Sequence, residues 1–114
     1  MSQEEFSKKV HELQNLEQSI QGMLMQKQSI QMEMNESLNA LEELKSSSDE
    51  VYKIVSGIMI RSDKTSIKAE LEEKKKLSEA RISAIEKQEN VFNEKIEKLR
   101  KELDELLQRN AKKK

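Results

Sequence analysis

The sequence predicts an all-α-dominated fold, two long helices with one β-hairpin between them, paired as an antiparallel coiled coil. Three observations carry that prediction. Ala, Glu, Lys, Leu and Arg make up 57 of the 114 residues, the share typical of long helices and coiled coils. Apolar residues recur at alternating spacings of four and three on both sides of the centre. At the centre a β-branched stretch, EVYKIVSGIMIRSDK (residues 50–64), interrupts that periodicity.

The first helix is expected from about Glu4 to Lys45. A four-three spacing from Phe6 visits Val10, Leu13, Glu17, Ile20, Leu24, Lys27, Gln31, Met34, Leu38, Leu41 and Lys45, so eight of twelve positions are apolar. A neighbouring stripe through Leu16, Met23, Ile30 and Leu44 widens the face. Met25 and Met32 fall off both rows. The serines of KSSSDE then compete for backbone hydrogen bonds and should end the helix.

VYKIV and IMIR flank Ser56-Gly57, a two-residue connection suited to a tight hairpin turn. Ser62, Asp63 or Thr65 can cap the helix that follows, and Thr65 is the favoured choice. The second helix is expected from there to about Asn110. Its seam visits Leu71, Lys75, Ser78, Ile82, Ile85, Glu89, Phe92, Ile96, Leu99, Leu103 and Leu106, eight of eleven apolar. The chain thus reads as one domain: helix over 1–46, hairpin over 50–62, helix over 65–110 and a basic tail over 111–114. Each helix would be on the order of 70 Å long.

Folding the chain about residue 56 sets Phe6 opposite Leu106, Leu13 opposite Leu99 and Ile20 opposite Phe92. Charge supports that pairing. Residues 1–49 carry 4 basic and 9 acidic groups, whereas residues 65–114 carry 14 basic and 11 acidic groups.

Composition narrows the function. The chain has no cysteine, so no disulfide framework is expected. No apolar run approaches the roughly 18 residues of a membrane span, and MSQEEFSKKV does not read as a signal peptide; a cytoplasmic protein is expected. A net charge of −1 argues against a nucleic-acid partner. Gly22 and Gly57 are the only glycines, too few for a phosphate-binding loop, and the lone His11 has no second His or Cys for a metal site. No catalytic residue, metal or cofactor is expected, and the chain does not read as an enzyme.

The hairpin points instead to partners. Strand residues alternate sides, and neither side is polar: Val51 and Val55 point one way with Lys53 between them, and Tyr52 and Ile54 the other; across the turn Ile58 and Ile60 share one face and Met59 and Arg61 the other. A lone two-stranded hairpin is marginal in water, and open apolar edges pair with other chains. Val51, Tyr52, Ile54, Val55, Ile58, Met59 and Ile60 are the candidate oligomerisation surface.

VYKIVSGIMIRSDKTSIKAELEEKKKLSEARISAIEKQEN, set between two heptad helices, resembles the β subunit of prefoldin, a family of ATP-independent chaperones of archaea and eukaryotes. The likeness spans essentially the whole chain and is most specific at Tyr52-Lys53, Ile58–Arg61 and Gln88-Glu89. One departure is that many members place glycine at the position of Ser56. The resemblance implies that two α-type and four β-type subunits join through their hairpins into a hexamer. Its coiled-coil arms hold unfolded clients and deliver them to a group II chaperonin. On that reading Phe6, Val10, Leu103, Leu106 and Leu107, nearest the open tip, are the candidate client-binding residues. The alternative is a structural coiled-coil tether or scaffold subunit without chaperone activity.

Overall fold

The structure, a computed structural model, describes residues 3–112, and for Lys112 the backbone alone. Of the expected basic tail, residues 113 and 114 lie outside the described residues. Helix α1 (Gln3–Lys45) is followed by strands β1 (Glu50–Val55) and β2 (Ile58–Asp63) and by helix α2 (Lys64–Lys112). Two long helices with one antiparallel hairpin between them is the expected fold class.

The serines end α1 as their chemistry dictates. The amides of Ser46 and Ser47 donate to the carbonyls of Glu43 and Leu44, both at 3.3 Å. Their hydroxyls donate to the same two carbonyls at 3.3 and 3.0 Å. Three-residue-back bonds tighten the last turn and satisfy carbonyls that would otherwise lack helical partners.

The cap of α2 differs from expectation. Asp63, not Thr65, fills it: one carboxylate oxygen accepts the Ser66 amide at 2.8 Å and the other accepts the Ser66 hydroxyl at 2.9 Å. Because α2 begins at Lys64, Asp63 stands at the N-cap position and Thr65 already lies inside the helix. An anion is also favoured at the positive end of the helix. The two bonds to Ser66 hold the Asp63 carboxyl below its ordinary value.

Contacts divide the chain into two compact units. One comprises Lys27–Ser83, with the hairpin and the adjoining parts of both helices. Within it α1 and α2 run antiparallel: Glu33 pairs with Arg81 at 3.8 Å, and the Lys64 ammonium donates to the Ser47 carbonyl at 3.3 Å. Ile30, Leu44, Ser37 and Ser78 are buried there. Among the described residues no buried side-chain polar atom lacks a hydrogen-bond partner.

The other unit holds the described residues up to Gln26 and from Ala84 onward. Its core is Ile96, Leu99, Leu103 and Leu106, all on the α2 seam. Phe6, Val10, Leu13, Leu16 and Ile20 of α1 are half-buried there. Lys9 pairs with Glu102, and Arg100 with Glu17 at 3.1 Å. Each partner of the Lys9–Glu102 pair stabilises the other's charged form: the hydrogen bond raises the Lys9 pKa and lowers that of Glu102.

Every α2 seam position expected from Leu71 to Leu106 is buried or half-buried. In α1 all four residues of the neighbouring stripe are buried or half-buried, but only seven of the twelve four-three positions are, Val10 among them. Phe6, Leu13, Ile20, Lys27, Met34 and Leu41 face inward, but their companions are Lys9, Leu16, Met23, Ile30, Ser37 and Leu44. Glu17, Leu24, Gln31, Leu38 and Lys45 are exposed. The spacing is three-four rather than four-three from Phe6. That phase places nine apolar residues of twelve in the seam instead of eight. It also keeps Glu17, Gln31 and Lys45 in water, where burial would be costly. Its one charged newcomer, Lys9, is compensated by Glu102.

Candidate functional site

The hairpin is built from its turn outward. Ser56 and Gly57 both have positive φ, 51° and 80°, which makes the connection a type I′ turn, matched to the right-handed twist of paired strands. Ser56 holds this conformation against the clash of its Cβ, a strain glycine would lack. The register follows: Val55 opposite Ile58, Ile54 opposite Met59, Lys53 opposite Ile60, Tyr52 opposite Arg61 and Val51 opposite Ser62.

That register sorts the side chains into two unlike faces. Val51, Lys53 and Ser62 are half-buried on the same face. There the Lys53 ammonium reaches Glu70 of α2 at 3.1 Å. Lys53 and Val55 line a groove with Ile67, Leu71 and Leu77 of α2. Towards the turn this face opens, and Val55, Ile58 and Ile60 are exposed. On the opposite face every residue is exposed: Tyr52, Ile54 at 71% and Met59 at 69%, beside Glu50, Arg61 and Asp63. Arg61 and Glu50 form an ion pair at 2.6 Å, and the Tyr52 hydroxyl lies 3.4 Å from the same carboxylate. The sheet has two strands only, so neither outer edge is paired among the described residues.

The base of the hairpin is tied down. The Lys64 amide donates to the Asp49 carbonyl at 3.2 Å, and Lys64 and Lys53 make the cross-element bonds already given. Of the seven candidate assembly residues, six are exposed and Val51 is half-buried. Sequence reasoning missed the one-sided docking onto α2. Its signal was Lys53, a lone cation inside an apolar strand with Glu70 one turn past Ile67.

The candidate client-binding residues fall in the unit that holds both chain ends. Phe6 and Val10 are half-buried, Leu103 and Leu106 are buried, and Leu107 is 54% exposed. Five apolar groups are thus gathered in one unit, of which Leu107 is the accessible one. His11 is exposed, and no cluster of His, Cys, Asp or Glu among the described residues could hold a metal ion. No described helix is long and apolar enough to cross a membrane.

Helix–hairpin–helix architecture with an exposed apolar hairpin defines a recognisable class. The family model described as prefoldin subunit matches residues 7–110, and the chain belongs to the prefoldin subunit family. Among its members it is similar to β subunits. It is 36% identical over 98 residues to prefoldin subunit beta of Thermococcus kodakarensis, covering 84% of each chain. With prefoldin subunit beta of Saccharolobus islandicus it shares 34% over 96 residues, 82% of this chain and 76% of the relative. The crystal structure of the prefoldin beta subunit from Thermococcus strain KS-1 superposes with a TM-score of 0.82 at 33% identity, covering 90% of this chain and 92% of that one.

Proposed function

We propose that the chain is a subunit of a cytoplasmic, ATP-independent holdase. Its hairpin joins α-type subunits and further β copies into a hexamer of two α and four β. The helix ends hold unfolded polypeptide for delivery to a group II chaperonin. The observation that carries the assembly is the hairpin itself: six exposed apolar side chains on a two-stranded sheet with open edges. Burying them against other hairpins removes both liabilities together, at roughly 25 cal/mol for each Å² of apolar surface.

Client holding rests on the chain-end unit. Leu107 is exposed, and Leu103, Leu106, Phe6 and Val10 lie close to the helix termini, where local opening is cheapest. A weak, adaptable patch on each of several arms would hold a client through avidity. The burial of Leu103 and Leu106 favours a second reading, a tether whose helix ends are simply closed.

Two measurements separate these. Native mass spectrometry, alone and with an α-type subunit, should give a hexamer; a folded monomer in the presence of that partner refutes the assembly. Aggregation of a denatured client without ATP should be delayed near stoichiometric ratio. Removing residues 1–8 and 105–114 should abolish that delay and leave the hexamer intact, whereas a tether delays nothing at either length.

A further inference from the structure

We propose that Met59 is a sulfoxidation site whose oxidation state decides whether the hairpin can enter an assembly. The chain has no cysteine, so its six methionines are its only oxidisable sulfurs. Met23 and Met34 are half-buried on the α1 seam. Among the described residues three thioethers stand open to water: Met25 at 69%, Met32 at 66% and Met59 at 69% exposed. Met25 and Met32 lie on the solvent side of α1, where an added oxygen stays hydrated. Met59 lies on the outward face of the hairpin, directly opposite Ile54 and on the same side as Tyr52.

The chemistry needs only a peroxide. The sulfur lone pair attacks one peroxide oxygen, the O–O bond breaks, and the thioether leaves as a sulfoxide while the peroxide departs as water. Sulfur loses two electrons and the peroxide gains them. The flexible apolar side chain becomes a polar one with a strong acceptor. Free chains accept this group at no cost, because the face is in water. An assembled hairpin would have to bury a strongly polar group where the thioether had offered apolar surface, beside Ile54. Oxidation and assembly therefore exclude one another: the sulfoxide blocks docking, and docking shields the thioether. This inference rests on the assembly reading of the hairpin.

The test uses the full-length chain carrying Met25→Leu and Met32→Leu, so that Met59 is the exposed thioether left among the described residues. The chain is treated with hydrogen peroxide, mapped by peptide mass, mixed with the α-type subunit and weighed by native mass spectrometry. Chains with Met59 sulfoxide should be at least about tenfold depleted from assembled particles, and methionine sulfoxide reductase should restore them. In the unsubstituted protein, assembly should slow peroxide oxidation of Met59 several-fold while Met25 and Met32 react at unchanged rates. Met59 sulfoxide present in particles at its proportion in the free chain overturns the inference while leaving assembly standing. Failure of the untreated chain to assemble removes both.

Discussion

Replacing Ile30 by Ala is expected to destabilise the chain by about 3 kcal/mol, while Leu38→Ala should cost about half as much. Both substitutions remove three carbons, worth about 2.4 kcal/mol when fully withdrawn from water. Ile30 is 3% exposed and sits in the three-four row of α1, so the whole transfer loss applies and a residual cavity adds to it. Leu38 is 39% exposed and sits in the four-three row. Only about three-fifths of its transfer loss applies, about 1.5 kcal/mol, and water fills the space it leaves. The gap of about 1.5 kcal/mol is roughly a tenfold difference in the unfolding constant. Urea unfolding followed by circular dichroism at 222 nm measures it, provided the slope with denaturant is the same in both variants. Equal losses, or a greater loss at Leu38, would show that the four-three row faces α2 and that the seam phase described above is wrong.

Two further outcomes follow from the connector. Ser56→Asn should raise stability by about 0.5–1 kcal/mol, because asparagine tolerates the left-handed conformation that serine holds under strain and is favoured at the first centre of a type I′ turn; a thermal melt unchanged or lowered by the substitution contradicts that. Asp63 has a folded-state pKa below its ordinary value of 3.8, so the cap contributes fully above that value and is lost as the pH falls through the lower, folded one. The Ser66 amide resonance, followed by NMR on acidification, should shift with a midpoint below 3.8 and cease to shift there in Asp63→Asn.

Much of this molecule was legible without coordinates, because its elements are set by local chemistry and by period. Three consecutive serines at 46–48 compete with the helical backbone and end α1, a β-branched run around Ser56-Gly57 makes a hairpin, and the α2 row from Leu71 to Leu106 has no rival phase of comparable apolarity. Its resemblance to the prefoldin β subunit was likewise visible in the connector and the helix after it. The exposed hairpin surface could be named in advance because strand alternation leaves both faces apolar.

Tertiary structure decided what depends on a neighbour. Two rows of α1 had almost equal apolar content, and the choice between them came from which row meets α2: Glu102 waits beside Lys9, whereas Glu17, Gln31 and Lys45 would have been buried. Asp63 rather than Thr65 is the cap because α2 begins at Lys64, where β2 ends. One face of the hairpin is partly covered and the other open because Lys53 reaches Glu70, a meeting of residues seventeen apart that no periodicity encodes. A sequence states which groups must leave water, and only the packed partner determines where they can go.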